Sequence, residues 1–283
     1  MGIECIMRLK PIIIIPARYN SSRFPGKMLE KLGDKTVLEQ TIETGKRTGL
    51  PVYVATDNRD IANLCIKIGQ EYVMTDPDHK NGTERVAEAM IKLIDKHGAD
   101  FANDFDYVIN LQGDSPLIPD YVFKLMMEEY EALSAYDKPF DVITPTFRMP
   151  METAERFLDC RAEGKAGGTT VVADSTGRAI YFSKEMIPYG ADLTNVQSAS
   201  EKIPMYYHIG MYAYKPSALF EYSQMEETAL ERTEGLEQLR FVENGYHVHC
   251  MKLQPLHFDF WEVNNPEDIE IVENSLHYVR KGT

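Results

Sequence analysis

Residues 12–27, IIIIPARYNSSRFPGK, join an apolar run directly to a basic loop. Four consecutive isoleucines with no polar alternation are typical of a strand that is buried on both faces of a parallel sheet. The pattern that begins here continues downstream, where strand patterns alternate with amphipathic helix patterns. Strands are predicted at 51–57, 71–76 and 106–114, and helices at 36–48, 58–70, 81–98 (N-capped by Thr83 and closed by Gly98) and within 115–133, starting near Pro119. This alternation predicts a doubly wound, mostly parallel α/β sheet.

The second half of the sequence is less regular and predicts a smaller β-rich lobe. We expect strands at 140–149, 206–215 and 247–253, and a hairpin over 168–184 that turns at Asp174–Gly177. Helices are predicted at 234–245 and 264–281, and the polar segment 191–202 is expected to be an exposed or mobile loop. The whole chain, 1–283, is predicted to form one domain, with a first half at about 10–135, a lobe at about 140–250 and a C-terminal strand and helix at 251–283.

The composition is that of a globular protein and excludes several classes of function. The chain has 283 residues and a net charge of −14, which disfavours nucleic-acid and general membrane-surface partners because both select basic faces. Its four cysteines are far apart and form no CxxC pair, as expected for reduced thiols. The isoleucine run is too short for a signal peptide or a membrane span. We therefore expect a cytoplasmic protein.

The basic loop has the composition of a phosphate site. Arg18, Arg23 and Lys27 lie within ten residues, with Ser21 and Gly26 between them. Small residues let backbone N–H groups approach phosphate oxygens while the cations disperse their charge. The loop matches neither GxGxxG nor GxxxxGK[ST], which disfavours both dinucleotide-binding and Walker-type sites. A solvated basic turn is the alternative.

Two further positions have chemistry that the residues alone leave open. Asp114 follows a buried strand and a glycine in INLQGDSP, where a carboxylate either binds a hard divalent cation or caps the next helix. His208, within YYHIGMY, either lines a pocket or is a core histidine with backbone partners.

Eight short motifs then occur in order along the chain: PARYNSSRFPGK, VATD, GTER, NLQGD, YFS, HIGMY, LEQLR and VNNPED. Each is weak alone, but their order and spacing resemble the 3-deoxy-D-manno-octulosonate (Kdo) cytidylyltransferases, also called CMP-Kdo synthetases, from about Ile12 to Glu273. The resemblance implies a nucleotide-diphospho-sugar transferase-like fold, a nucleotide-binding first half and a lobe for the acceptor and dimerisation. It implies transfer of CMP from CTP to a sugar acid such as Kdo with release of pyrophosphate, dependence on Mg²⁺, a homodimer, and a place in bacterial lipopolysaccharide synthesis.

The resemblance also implies roles for particular residues. Catalytic roles fall on Arg18, Lys27 and Asp114. Nucleotide contacts fall on Ala17, Arg18, Ser21, Arg23, Lys27, Thr56, Asp57, Gly82, Thr83, Arg85 and Gln112. The acceptor is expected to meet Gln112, His208, Tyr212, Glu237 and Gln238, and the metal to be bound by Asp114 and Asn264.

Several positions depart from the family pattern. Ser115 stands where the family usually has Glu, and Asn264 where it has an Asp that helps to bind magnesium. Thr170 and Lys184 replace a Lys and an Arg, and basic residues are missing after Pro188. Three interpretations remain open: drift with compensation elsewhere, for example by Asp259 or Glu262; a different small-acid acceptor; and a non-catalytic nucleotide-binding homologue.

Overall fold

The computed structural model describes residues 9–21, 24–165, 167–189, 205–254 and 261–280. The predicted loop at 191–202 therefore lies outside the described residues. The strands are β1 Pro11–Pro16, β2 Lys31–Leu32, β3 Lys35–Thr36, β4 Val52–Thr56, β5 Tyr72–Met74, β6 Tyr107–Leu111, β7 Val142–Arg148, β8 Thr170–Ala173, β9 Ala179–Ser183, β10 Tyr206–His208, β11 Met211–Tyr214 and β12 Val248–Leu253. The helices are α1 Val37–Arg47, α2 Arg59–Ile68, α3 Gly82–His97, α4 Ala99–Asn103, α5 Asp120–Ala135, α6 Met151–Ala162, α7 Pro216–Tyr222, α8 Ala229–Glu234, α9 Gln238–Glu243 and α10 Asp268–Arg280, with a 3₁₀ turn at Lys27–Leu29.

One ten-stranded mixed sheet runs through both halves of the chain. Its order is β5-β4-β1-β6-β11-β7-β10-β8-β9, and β12 pairs with β7. Strands β5, β4, β1 and β6 are mutually parallel, whereas β11 runs antiparallel to both β6 and β7. The mostly parallel α/β fold predicted above is thus confirmed, and the antiparallel strands of the second half extend the same sheet. A separate small sheet pairs β2 with β3.

The isoleucine run forms the centre of this sheet. All four isoleucines have no exposed surface, and alternate ones face opposite layers. Ile13 and Ile15 pack in the cluster that contains α1, α2, α5, α6 and α10, whereas Ile12 and Ile14 pack with α3, α7 and α9. Each buried isoleucine contributes about 1.5–3 kcal/mol through apolar burial. Helices on both faces explain why the run shows no polar alternation.

Short polar signals set the beginnings of the helices in the first half. Thr36 and Glu39 form a reciprocal capping box at α1, and the Asn58 side chain accepts backbone N–H bonds at α2. The sequence prediction for α3 was wrong in one detail. Asn81 rather than Thr83 is the N-cap, because the Asn81 side chain accepts the backbone N–H of Glu84. Gly98 ends this helix as predicted.

Two predicted elements of the second half differ from the structure: one is divided and one is shorter. The stretch 206–215 forms two short strands, β10 and β11, separated by Ile209 and Gly210. Both strands pair with β7, but on the other side β10 pairs with β8 whereas β11 pairs with β6. The helix predicted at 234–245 is shorter, α9 Gln238–Glu243, because Gly235 ends the preceding helix α8 in a left-handed conformation. Helices α4, α6, α7 and α8 and the small β2–β3 sheet were not predicted. The hairpin of β8 and β9 is confirmed.

Candidate active site

The ends of β1 and β6, the start of α3 and the segments on either side of β10, β11 and α9 surround a cleft of about 340 Å³. It is lined by twelve of the residues predicted to be functional: Arg18, Ser21, Lys27, Gly82, Arg85, Gln112, Asp114, His208, Tyr212, Glu237, Gln238 and Asn264. These positions span most of the chain. They meet because loops that leave the carboxyl ends of parallel strands share one edge of the sheet.

The basic loop folds back on itself at the edge of the cleft. The Gly26 backbone N–H donates to the Tyr19 carbonyl over 2.9 Å, and Gly26 adopts a positive φ of 76° that glycine accommodates without strain. This turn leads into the 3₁₀ segment that starts at Lys27. Arg18 is exposed at the cleft and donates to the Lys80 carbonyl over 3.5 Å. Arg23 lies outside the described residues.

Lys27 joins three distant parts of the sequence at the centre of the cleft. Its buried ammonium forms an ion pair with Asp114 and donates to the Val263 carbonyl over 2.9 Å. The Val263 N–H in turn donates to the Asp114 carbonyl over 3.1 Å. A charge pair held in a region of low dielectric is oriented by these main-chain contacts. The ion pair therefore fixes the C-terminal segment against the loop after β6.

Glu262 is a second carboxylate beside this pair. Its Oε1 accepts hydrogen bonds from the Ser115 hydroxyl over 3.2 Å and from the Gly210 N–H over 3.3 Å. Burial and the nearby Asp114 charge raise the pKa of Glu262 to about 7, and Lys27 acts in the opposite direction.

The turn that carries Asn264 is organised by Asp268. One oxygen of the Asp268 carboxylate accepts the backbone N–H groups of Asn264 and Asn265, over 2.8 and 2.6 Å, and the other accepts the Trp261 indole N–H over 2.7 Å. A carboxylate in this position also suits the positive end of α10. Asp268 thus holds Asn264 at the cleft.

Glu237 lies at the N-terminus of α3. Its carboxylate accepts the Thr83 N–H over 3.0 Å and the Gln112 side-chain amide over 3.0 Å. Burial raises the pKa of Glu237, and its hydrogen bonds with the backbone of residues 82 and 83 oppose that shift. A Cβ at Gly82 would lie 2.8 Å from Gln112 Nε2, so a side chain there would displace the Gln112 amide.

The buried part of the remaining wall, around Gln238, is built from neutral groups. The Tyr212 hydroxyl donates to Gln238 Oε1 over 3.1 Å, and Gln238 Nε2 is buried without a hydrogen-bond partner among the described residues. His208 Nε2 lies 2.9 Å from the Thr144 hydroxyl, which donates to the Met211 carbonyl over 2.8 Å. Because that hydroxyl proton is committed, His208 is the donor through Nε2. Burial lowers the pKa of His208 to about 3.

Three predicted nucleotide contacts lie behind the cleft wall rather than on it. Ala17 is fully buried, with its N–H bonded to the Ala55 carbonyl over 2.8 Å. Thr56 is also fully buried, and its hydroxyl accepts the Asn58 N–H over 3.2 Å. Asp57 faces the guanidinium of Arg85 at 3.7 Å. These contacts support the wall, and Asp57 bears on the cleft through Arg85.

Thr83 likewise points away from the cleft. Its hydroxyl lies 2.8 Å from the Tyr214 hydroxyl. The neighbouring Arg85 does line the cleft, and its guanidinium donates to the Thr75 hydroxyl over 2.5 Å. Burial lowers the pKa of Arg85.

Sequence reasoning did not assign several lining residues to the site. Lys80 and Asn81 belong to the loop after β5, which strand-end position alone could have indicated. Glu262 was considered only as one of two acids that could compensate for Asn264, and Gly210 and Leu236 had no local signal, because their place depends on long-range pairing. The full set of additional lining residues is Pro16, Met28, Lys80, Asn81, Gly168, Thr169, Lys184, Tyr207, Gly210, Gly235, Leu236 and Glu262.

The oxygen donors at the centre suit a hard divalent cation. Asp114, Glu262 and Asn264 line the same cleft, and Lys27 is the cation whose charge acts on both carboxylates. Within the described part of the chain, no three His, Cys, Asp or Glu side chains gather into a metal cluster. Mg²⁺ is commonly held by only one or two carboxylates together with substrate phosphates, so these donors fit it.

The fold and this cleft are those of a nucleotidyltransferase. The sequence profile of a family described as Cytidylyltransferase matches residues 12–253. The chain therefore belongs to the cytidylyltransferase family of enzymes, which confirms the resemblance drawn from the motifs.

Relatives with a more specific name match over most of the chain. The 3-deoxy-manno-octulosonate cytidylyltransferase of Maricaulis maris (strain MCS10) is 38% identical over 267 residues, which cover 94% of this chain and 96% of that protein. The protein of the same name from Acaryochloris marina (strain MBIC 11017) is 34% identical over 260 residues, which cover 91% of this chain and 94% of the relative.

A solved structure agrees with these sequence matches. The structure of CMP:2-keto-3-deoxy-manno-octonic acid synthetase complexed with CTP superposes with a TM-score of 0.75 at 30% identity, covering 95% of this chain and 99% of that one. No helix among the described residues is long and apolar enough to cross a bilayer.

Proposed function

We propose that this protein transfers CMP from CTP to Kdo, releases pyrophosphate and depends on Mg²⁺. The observation that carries the proposal is the division of one cleft into two parts. One part has the Lys27–Asp114 ion pair and Arg18, and the other has buried neutral donors and acceptors around Gln238. The names of the relatives and the CTP complex of the structural neighbour agree with this division.

In the proposed reaction, the anomeric hydroxyl oxygen of the acceptor bonds to the α-phosphorus of CTP. The bond from that phosphorus to the bridging oxygen of the β-phosphate breaks, pyrophosphate leaves with the electron pair, and the hydroxyl proton is released to solvent. Such transfer depends on positioning and on charge neutralisation rather than on a covalent enzyme intermediate. Arg18 and Lys27 stabilise the negative charge on the departing pyrophosphate. Ser21 and Arg85 line the same part of the cleft.

Asp114 and Asn264 would hold the cation in this proposal. Mg²⁺ would neutralise phosphate charge and orient the reacting oxygens when it is bound. Lys27 pairs with the Asp114 carboxylate and holds it in the cleft, and Asp268 keeps Asn264 at its rim.

The neutral wall would bind the acceptor through its hydroxyl groups. Gln238 Nε2 is a buried donor that lacks a partner among the described residues, and such groups lose stability unless a ligand or water satisfies them. Glu237, Gln112, Tyr212 and His208 supply the neighbouring hydrogen-bonding groups. A site of this kind discriminates strongly against analogues that lack a hydroxyl.

One observation favours a second candidate, a different small acid as the acceptor. In the described part of the lobe wall, Lys184 is the cationic residue that lines the cleft, and its ammonium is 3.4 Å from the Gly235 carbonyl. Thr170 instead bonds main-chain carbonyls, including that of Glu185 over 2.6 Å. A lysine is a point charge and lacks the planar fork with which arginine grips a carboxylate.

The direct test is pyrophosphate release with Mg²⁺ and CTP, ATP, GTP or UTP, each with Kdo and with a panel of other small sugar acids. We expect turnover with CTP and Kdo, and product identified by mass spectrometry as the CMP adduct. Turnover with CTP and another acid alone would favour the second candidate. No pyrophosphate with CTP and any acid would exclude both.

The resemblance supports three further proposals about the molecule as a whole. We propose that residues of about 10–135 form the nucleotide-binding half and those of about 140–250 the acceptor and dimerisation lobe of one domain, 1–283. We also propose a homodimer, which light scattering of the purified chain would test. A cytoplasmic place in lipopolysaccharide synthesis is proposed on the same ground.

A further inference from the structure

Glu262 is a carboxylate at the reaction centre to which the proposed mechanism gives no role. It lines the cleft with Asp114, Lys27 and Asn264, and the negative charge of Asp114 acts on it directly. Asn264, two residues later, presents an uncharged amide at the same rim.

The structure holds this carboxylate in a fitted site. Its Oε1 accepts the Ser115 hydroxyl and the Gly210 N–H, over 3.2 and 3.3 Å. A Cβ at Gly210 would lie 2.8 Å from the same oxygen, so a side chain at that position would displace the carboxylate. Both described hydrogen bonds engage Oε1, so the Glu262 carboxylate can still bind a cation through Oε2.

Among the described contacts, the Lys27 ammonium bonds Asp114 and the Val263 carbonyl, whereas the Glu262 carboxylate accepts only from the neutral donors of Ser115 and Gly210. Asp114 and Glu262 together carry two negative charges when ionised, and Lys27 supplies one positive charge that bonds Asp114 directly. Two carboxylates that approach one another in a partly desolvated site repel unless a positive charge lies between them. A triphosphate entering the cleft adds further negative charge.

We propose that Glu262 is a carboxylate ligand of the divalent cation and works with Asp114, supplying the charge that Asn264 lacks. The inference rests on the proposed function, because it assigns a ligand to the cation of that reaction. Ser115 and Gly210 are then positioning residues. They hold the Glu262 carboxylate at the centre.

The test measures cation binding directly, with Mn²⁺ as the probe because carboxylate sites for Mg²⁺ also accept it. Mn²⁺ is titrated into the CTP-loaded full chain without acceptor, and free Mn²⁺ is followed by electron paramagnetic resonance. Glu262→Gln keeps the oxygen that accepts both hydrogen bonds and removes the charge. Glu273→Gln, exposed on α10, removes the same charge away from the cleft and is the matched control.

We expect Glu262→Gln to weaken Mn²⁺ binding about tenfold or more, with CTP binding in the absence of metal changed less than about twofold. Adding Asn264→Asp to that variant should restore most of the affinity, and Glu273→Gln should bind as the unaltered chain does. Thermal melting checks that each variant folds. Should the glutamine variant unfold, Glu262→Asp keeps the charge but withdraws it by one methylene, and we expect it to bind Mn²⁺ several-fold more weakly.

Two results would overturn the inference, and they differ in their consequence for the proposed reaction. Unchanged Mn²⁺ affinity in folded Glu262→Gln, or in Glu262→Asp if that variant is needed, excludes Glu262 as a ligand and leaves the proposed reaction intact. If the unaltered chain binds no Mn²⁺ in the presence of CTP, Glu262 is not a metal ligand and the inference is wrong. Pyrophosphate release without Mg²⁺ would then show that the proposed reaction occurs but does not require the metal.

Discussion

The two walls of the cleft solve the problem of burying polar groups in opposite ways. The wall built from the ends of β1, β4 and β6 and the start of α3 pairs charge with charge, as in Lys27 with Asp114 and Arg85 with Asp57. The wall built from β10, β11 and α9 keeps groups neutral, with His208 and Tyr212 held by hydroxyl and amide partners. The contrast teaches that local dielectric and ligand charge are matched: phosphates need ionised groups, whereas a sugar needs desolvated donors and acceptors.

The largest expected effect tests the charged wall. Asp114→Asn removes the carboxylate that pairs with Lys27 and should lower kcat in the CTP and Kdo assay by about 10³-fold or more, because a preorganised charge at the reacting phosphate is lost. Asp120→Asn, exposed at the start of α5, should leave kcat within about twofold as the matched control. Activity retained by Asp114→Asn would remove Asp114 from the reaction centre.

The second prediction concerns an exception within the lobe, where a buried ion pair supports the neutral wall. Arg240 is almost fully buried and bonds both oxygens of Glu231 over 2.7 Å. Arg240→Met should lower the free energy of unfolding by about 3–5 kcal/mol, because Glu231 is left as an unpaired buried charge. Urea unfolding is the measurement. Arg232→Met, on the exposed side of α8, should change it by less than about 0.5 kcal/mol.

A pH experiment tests whether the lobe wall is neutral. The folded pKa of His208 is about 3, whereas the unfolded histidine titrates near its ordinary 6.5. The unfolded state therefore binds the extra proton below pH 6.5, so the contribution of this group to stability is complete above that pH and declines as pH falls toward 3. At pH 5 the loss is about 2 kcal/mol.

We expect His208→Gln to lose that component of the pH dependence when urea unfolding is compared at pH 8 and pH 5. His97→Gln, on the exposed end of α3, should keep it. An equal pH dependence in His208→Gln and the unaltered chain would show that His208 is protonated in the fold at pH 5.

The smallest effects come from two variants that each remove one hydroxyl, one from each wall. Ser21→Ala should raise the KM for CTP about fivefold, and Tyr212→Phe should raise the KM for the acceptor about fivefold, since one hydrogen bond contributes about 1 kcal/mol. Steady-state kinetics with each substrate varied in turn checks both. If either variant changed both KM values equally, the division of the cleft into two functional walls would be wrong.

The first half of the chain could be predicted from the sequence more fully than the second half. Strands buried on both faces and caps such as Thr36 and Asn58 are local signals, so the first half and the position of Asp114 could be predicted. The break at Gly210 could not be, because it reflects a change of strand partner far away in sequence. Helix α6 was missed because the core cluster takes only Ala154 and Phe157 from it, with Cys160 partly buried against that cluster, which leaves little apolar periodicity.

The sequence offered Glu262 only as one of two acids that could compensate for Asn264, and it could not place this carboxylate in the cleft. Its contacts are to Ser115 and Gly210, which are distant in sequence, and a single carboxylate between two apolar residues carries no periodic signal. The Lys27 ammonium bonds Asp114 in the loop after β6 and the Val263 carbonyl in the C-terminal segment. This long-range contact brings Glu262 to the cleft.

That shared ammonium also bears on the order of events during synthesis. Because Lys27 touches a carbonyl 236 residues further along, a nascent chain can form its central parallel strands long before it can close the reaction centre. Domains emerge at roughly 5–20 residues per second and begin to fold from the N-terminal side. The reaction centre therefore forms late in synthesis. A chain truncated before Val263 would fold in part but would lack the contact that completes the reaction centre.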